Sequence, residues 1–308
     1  MRRDRIDIQT DDAACRRISR CLHAGRPTLS YEFFPPRDEA SHHRIGEILS
    51  SASPDFATVT YGAGGSTRDR TFETALELNS LLPCAHHLTI LRHTRAELEH
   101  IVRRIEDAGI SNVIAIRGDP PKGQDRFPLT VGGLAHAEDL VALIRRVAAR
   151  IEIIVAGYPE GHKEALSPDH DVDVLKRKQD LGADLVFTQL FYENDAFYRW
   201  RDRCRRAGVT LPIVPGLMAV SSPPQLRKIS ELCGASLPEG LMRELDRWED
   251  EPEARARVGA DWCIRQAMDL LANEAPGIHI YCLNRSHPAI EVGQAVSRAV
   301  GPRSPGQP

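Results

Sequence analysis

Short runs of apolar and β-branched residues alternate along the chain with segments whose apolar residues recur every three to four positions. The runs are LSYEF from Leu29, FATVTYG from Phe56, CAHHLTI from Cys84, NVIAIRG from Asn112, IEIIVAGYP from Ile151, DLVFTQLFY from Asp184, PIVPGLM from Pro212 and IHIYCLN from Ile278. Each has the length and residue types of a buried strand. Between them stand helical patterns such as TRAELEHIVRRIEDAG, Thr94 to Gly109, with Leu98, Ile101 and Ile105 on one face. A Thr-x-x-Glu capping box opens that segment and Gly109 stops it.

Strand then helix, eight times over and without a hairpin signal, requires parallel strands joined by crossovers. Eight units of about 36 residues predict an α/β chain folded as a single (β/α)8 TIM barrel with an extra N-terminal helix; a doubly wound open sheet is the alternative. The helix is expected over Asp12 to Ala24, within an extension of residues 1–25. The barrel occupies 26–300, and the tail GPRSPGQP, 301–308, is expected to be disordered. A charged helical insertion, RELDRWEDEPEARARVGADW, falls between the seventh and eighth strands.

Composition narrows the function classes. The 308 residues are 42% hydrophobic and 27% charged with a net charge of -3, enough for a large core and without a basic stripe for nucleic acid. No apolar run approaches the roughly 20 residues of a membrane span, and MRRDRIDIQTDD lacks the apolar core of a signal peptide, so a cytoplasmic location is expected. Seven scattered cysteines and twelve histidines show no C-x-x-C or H-E-x-x-H spacing, so no metal is expected. His42-His43 and His86-His87 are adjacent pairs whose side chains should point apart.

In a barrel of this kind chemistry collects at the C-terminal strand ends. Those ends carry Glu32, Thr60, His87, Arg117 with Asp119, Tyr158, Gln189, and Asn284 with Arg285, a polar ring on apolar strands. The loops GDPPKGQDRFPLTVGG and PEGHKEALSPDH are long and rich in Pro and Gly, suited to shaping a cleft. Lys176, Arg177 and Lys178 on the following helix either meet a phosphate or form a solvated basic face. TYGAGGSTRDRT is not a dinucleotide fingerprint, because G-x-G-x-x-G from Gly62 requires Gly where Thr67 stands. Neither a P-loop nor a G-x-S-x-G elbow occurs.

The motifs YEFFPPR, VTYGAGGSTRDRT, HHLT, AIRGDPP, YPEGH, LKRK with LGAD, TQLFY and IYCLNRS, in that order from Leu29 to Arg285, resemble the methylenetetrahydrofolate reductase family, short bacterial type, catalytic barrel only. The resemblance implies an FAD-dependent barrel that takes electrons from NADH or NADPH. It would reduce 5,10-methylenetetrahydrofolate to 5-methyltetrahydrofolate for methionine synthesis, its two substrates taking turns at the flavin. Glu32 is then the acid that protonates the departing ring nitrogen, and enclosure by Phe34 and the cofactor should raise its pKa.

By the same resemblance Asp119 tunes the flavin and stabilises a cationic folate intermediate, and Gln189 hydrogen-bonds the folate and nicotinamide. Positions that contact FAD are Thr60, Tyr61, Ala63, His87, Arg117, Gly118 and Asp119, then His136, Ala137, Tyr158, His162, Ala165 and Asp171. Arg177 and Lys178 offset the pyrophosphate. Folate contacts fall on Glu32, Thr60, Asp119, Gln189, Gln225 and Arg285. Three positions depart from the family pattern: Val174 replaces an Asn, His136 a Tyr, and Ile229 an aromatic that helps hold the alternating substrates. Partners are expected to be small molecules and further copies of the chain, as a homo-oligomer. Only about twenty residues follow Asn284, so feedback control through a long regulatory extension is not expected. Two rival readings are another FAD barrel, such as one oxidising proline, and a folate-binding or methyl-transferring barrel without redox chemistry.

Overall fold

Strand β1 (Thr28–Phe33) is buried at every position except the half-buried Glu32, because its neighbours are strands and both its faces are covered. The computed structural model describes residues 16–61, 68–118 and 127–302. Ala63, Asp119, residues 1–15 and residues 303–308 lie outside the described residues. Before β1 stands α1 (Ile18–Leu22). After it come α2 (Glu39–Ala52), β2 (Phe56–Val59), α3 (Arg68–Leu81), β3 (Cys84–Thr89), α4 (Arg95–Asp107), β4 (Asn112–Ile116) and α5 (Ala137–Val147). The chain continues through β5 (Glu152–Gly157), α6 (Pro168–Asp180), β6 (Leu185–Thr188), α7 (Asn194–Arg206), β7 (Ile213–Val214) and β8 (Gly216–Leu217). It ends with α8 (Pro223–Cys233), α9 (Glu239–Arg247), α10 (Pro252–Ala272), β9 (Gly277–Tyr281) and α11 (Ser286–Val300).

The strands form one parallel sheet in the order β7-β6-β5-β4-β3-β2-β1-β9-β8. Its two outermost strands, β7 and β8, are separated in sequence only by Pro215, so the sheet curls into a barrel-like α/β fold ringed by helices. The seventh strand expected over Pro212 to Met218 is thus two short pieces, since proline lacks the N–H that would continue the ladder. The Pro215 carbonyl still accepts from His279 N at 3.0 Å.

Alternation sorts the side chains into two layers. Phe56, Ala85, Ile114, Ile154, Leu185, Phe187 and Val214 form the interior, with Ile18 and Cys21 of α1 closing its lower end. Leu29, Tyr31, Phe33, Ala57 and Val59 belong to the larger core under the helices, where the Tyr31 hydroxyl donates to Ala289 O at 2.9 Å.

Two helix expectations change. The N-terminal helix occupies only Ile18–Leu22 of the described residues, and its chain turns away through Gly25 at φ 80. The insertion is broken into α9 and α10 by Trp248 to Glu251, and Pro252 restarts it at a first-turn position that needs no N–H. The capping box of α4 is formed: Thr94 Oγ1 accepts from Glu97 N at 3.3 Å and Thr94 N donates to Glu97 Oε2 at 2.7 Å. Among the described residues no helix is long and apolar enough to cross a membrane, no group of side chains suits a metal ion, and the described cysteines are free thiols.

Helix α1 is fastened by side chains from the strand beginnings. Asn112 Oδ1 accepts from Ile18 N at 3.0 Å, and Asn112 Nδ2 donates to Arg16 O at 2.9 Å and Cys84 O at 3.2 Å. Glu152 Oε2 accepts from Ser19 N at 2.9 Å, so two helix N–H groups with no partner in their own turn are satisfied. Asn112→Ala strands these groups in a buried place and is expected to cost about 3 kcal/mol, measured by urea unfolding. A cost under about 1 kcal/mol, the value of an ordinary exposed bond, would show that α1 does not depend on it.

Candidate active site

The mouth of the barrel is built around Glu32. Strand parity turns Ser30 and Glu32 away from the helix-facing Leu29, Tyr31 and Phe33, and the register sets Ser30 beside His279 and Glu32 beside Tyr281 on β9. Glu32 Oε2 lies 3.1 Å from His87 Nε2 and 4.0 Å from His279 Nε2. Behind it, Ser30 Oγ and His279 Nδ1 are 2.8 Å apart. His279 is fully buried, and the Glu32 side chain retains 18% exposure. The Cys282 thiol donates to Glu32 O at 3.0 Å, and burial pushes its pKa up to about 12.

Glu32 departs from the sequence-based expectation. Burial alone acts to raise its pKa, but the charge of His87 3.1 Å away, with His279 behind it, outweighs burial and holds the carboxyl down at about 2. The apolar enclosure expected from Phe34 is absent here, since Phe34 is 41% exposed. Glu32 is therefore a carboxylate near neutral pH in this arrangement. His279 moves the other way, its pKa lowered by burial although Glu32 opposes that shift.

The remaining predicted residues fall into two groups around the mouth. On the β2 to β6 side, Thr60 N donates to Phe33 O at 2.9 Å, and Gly118 sits at φ +88 with an imagined Cβ only 3.1 Å from Thr89 Oγ1. Glycine is thus required where the chain leaves β4. Arg117 gives both terminal nitrogens to Glu164, at 2.6 Å each, and stacks over Phe127 at 5.0 Å. Tyr158 packs edge-on against His162 at 4.7 Å, and Ala165 N donates to His162 O at 2.9 Å. Burial raises the pKa of Asp171 on α6.

His136 caps α5, with its N–H on Asp139 Oδ2 at 2.9 Å, and Ala137 is the first helical residue. Arg177 Nε donates to Glu138 Oε1 at 2.8 Å. Lys178 is 7% exposed and has no ion pair within the 4.0 Å limit among the described residues. Burial lowers its pKa, with Asp171 and Glu138 as the nearby opposing charges. Val174 is half-buried on the same helix.

On the β8 to β9 side, Gln225 and Arg285 line one cleft with Tyr281 and Cys282. Gln225 Oε1 is occupied by Ser221 N at 2.9 Å and Ser221 Oγ at 3.0 Å. Gln189 Oε1 accepts from Leu190 N at 2.9 Å. Ile229 packs against the Leu190, Tyr192 and Met218 cluster.

The Tyr61 side chain turns away from the mouth. Its ring belongs to the helix layer, and its hydroxyl pairs with His93 Nε2 at 2.9 Å. Only its main chain borders the mouth. His86 shares that outer layer, where burial lowers its pKa to about 3, while His87 faces Glu32; the adjacent pair does point apart. Sequence reasoning missed Ser30, His279 and Tyr281. The signal was present as period-two polar residues in LSYEF and IHIYCLN. The Tyr281 hydroxyl donates to Thr188 O at 2.6 Å, and its approach uses the missing side chain of Gly216, where a Cβ would lie 2.7 Å from the hydroxyl and 2.5 Å from Thr188 O.

The family described as methylenetetrahydrofolate reductase matches residues 17–297. The chain belongs to the methylenetetrahydrofolate reductase family. It is 36% identical over 284 residues to 5,10-methylenetetrahydrofolate reductase of Escherichia coli K12, covering 91% of this chain and 92% of that one. It is also 36% identical over 284 residues to methylenetetrahydrofolate reductase (NADH) 1 of Zea mays, covering 87% of this chain but 48% of that protein. The chain thus spans about half the length of the plant relatives it matches. A Clostridium thermocellum protein described as binding two copies of 5-methyl-5,6,7,8-tetrahydrofolic acid shares the fold. Its TM-score is 0.61 at 16% identity, over 90% of this chain and 97% of that one.

Because the Glu32 carboxyl lies below its ordinary value of 4.5, its contribution to stability is present above that pH and lost as pH falls toward 2. The difference in unfolding free energy between the wild type and Glu32→Gln is expected to narrow over that interval. A difference that grows with acidification, read from urea curves at several pH values, would contradict the assignment of an ionised Glu32.

Proposed function

We propose that this chain reduces 5,10-methylenetetrahydrofolate to 5-methyltetrahydrofolate with electrons from NADH or NADPH, using FAD at the C-terminal end of the barrel. The observation that carries the reading is Glu32, a mouth carboxylate in contact with His87 and backed by His279 and Ser30. Family membership supplies the reaction class.

The residues present fit FAD. Lys178 is a buried ammonium without an ion pair among the described residues, a ready partner for a diphosphate. Gly118, at φ +88 against Thr89 and Leu91, fixes the course of the main chain next to Arg117. Lys178, Arg177, Arg117 and the backbone around Gly118 would hold the cofactor, with Asp171, His162 and Ala137 along the same side. Bound FAD would supply a two-electron carrier between nicotinamide and folate.

The chain's own chemistry is proton handling and orientation. Glu32 Oε2 would carry the proton delivered to the folate ring nitrogen as its bond to the bridging carbon opens. To do so it must first be protonated, and a folate ring covering its remaining exposed surface favours that change by removing water from the carboxylate. His87, 3.1 Å away, is the contact through which a proton can arrive. The side-chain NH2 of Gln189, whose oxygen is already occupied, would donate to the substrate ring. Gln225 and Arg285 would meet the more distant part of the folate. Asp119, directly after Gly118, takes its role from the family pattern.

An anaerobic visible spectrum of Glu32→Gln tests this directly. The variant is expected to keep a flavin spectrum that bleaches with NADH, and to lose at least about a hundredfold in the rate of reoxidation by methylenetetrahydrofolate, the usual scale for a general acid. Reoxidation at the wild-type rate would remove Glu32 as the proton carrier. A wild type that holds no flavin would remove the FAD route.

A further inference from the structure

The cations on the β4 to α6 side of the mouth are unequally engaged. Lys178 has no ion pair among the described residues, and Arg177 gives one nitrogen to Glu138 at 2.8 Å. Arg117 gives both terminal nitrogens to Glu164. That fork-to-fork contact is the geometry an arginine offers to a phosphate or carboxylate ligand. The guanidinium also lies over the Phe127 ring, 5.0 Å from its centroid.

Glu164 is 50% exposed on the loop between β5 and α6, whereas Arg117 is 20% exposed at the end of β4. The anion is therefore the more solvated partner, and the cation the more enclosed one. Hydrogen bonding from Arg117 lowers the Glu164 pKa, with the charges of Arg117, His162 and His136 adding to the effect, so the carboxylate is ionised near neutral pH. The loop has other moorings. Glu160 Oε2 accepts from Ser236 N at 2.9 Å, and Lys163 donates to Glu231 O. Glu164 can release Arg117 without the loop leaving the mouth.

We propose that Glu164 is a built-in competitor for Arg117, an internal carboxylate that a diphosphate must displace, and that it thereby sets the site's affinity for its anionic cofactor. The proposal rests on the FAD reading above. The displaced carboxylate moves into solvent, so the exchange trades one charge-assisted pair for another, and its net cost to the ligand is the worth of the Arg117–Glu164 pair.

Flavin fluorescence, titrated into full-length chain stripped of flavin, measures this without turnover. Glu164→Gln keeps the side-chain size and removes the competing charge. It is expected to lower the FAD dissociation constant about fivefold, the upper scale of a solvent-accessible ion pair. In an Arg117→Ala background the same substitution is expected to have no effect. Wild-type binding with an unchanged or weaker Glu164→Gln overturns the proposal alone, since Glu164 would then hold Arg117 in place for the ligand. Absence of FAD binding in every form overturns the cofactor reading and the proposal together.

Discussion

A carboxylate among parallel strands has few places to send its charge, and the arrangement of the mouth follows from that constraint. Both faces of each strand are covered, so water reaches Glu32 only from the open end, and a buried charge must be met by partners on neighbouring strands. β3 supplies His87 and β9 supplies His279, with Ser30 on β1 itself fixing the second imidazole. The partners come from β1, from its direct neighbour β9, and from β3 on the far side of β2, and they converge on one point because the sheet curls. An open sheet ending at β1 would lack β9 and with it the His279 contact. Closure of the sheet and charge of the site are in this sense one problem, and the broken strand at Pro215 stands where β9 needs its other neighbour.

The loops extend the same logic outward. Positive charge is concentrated at Arg117, Arg177 and Lys178, yet the first two are balanced by Glu164 and Glu138. Only Lys178, on the buried face of α6, lacks an ion pair among the described residues, and burial has already weakened its hold on a proton. A site built this way stays neutral enough to fold while keeping cations that an anionic ligand can reach. The folate side is different in kind. Gln225, Gln189 and Tyr281 have their oxygens committed to main-chain and side-chain groups nearby, so their geometry is set before a ligand arrives.

The strand ends were legible in the sequence because buried strands must be apolar, which makes any polar residue at their termini conspicuous. Glu32, His87, Arg117, Gln189 and Arg285 were found that way, and the motifs from Leu29 to Arg285 placed the family. Pairing was not legible. Nothing in LSYEF states that Glu32 lies beside two imidazoles, which lower its pKa against burial, whereas the expectation of a raised pKa weighed enclosure by Phe34 and a cofactor. Which part of Tyr61 faces the mouth was not legible either: its ring lies under the helices with its hydroxyl on His93. Pro215 inside PIVPGLM carries a break in what reads as a single strand. Its weight is clear only once β7 and β8 are seen to pair with different neighbours.

The account turns on the protonation state of Glu32 before a substrate arrives. Infrared difference spectra of the flavin-free wild type minus Glu32→Gln, recorded across neutral and mildly acid pH, isolate this one carboxyl. The account expects an ionised carboxylate band throughout, without a protonated carbonyl band appearing above pH 5. A protonated band at pH 7 would contradict it, showing that burial outweighs the two imidazoles and that the acid stands ready without help from the folate.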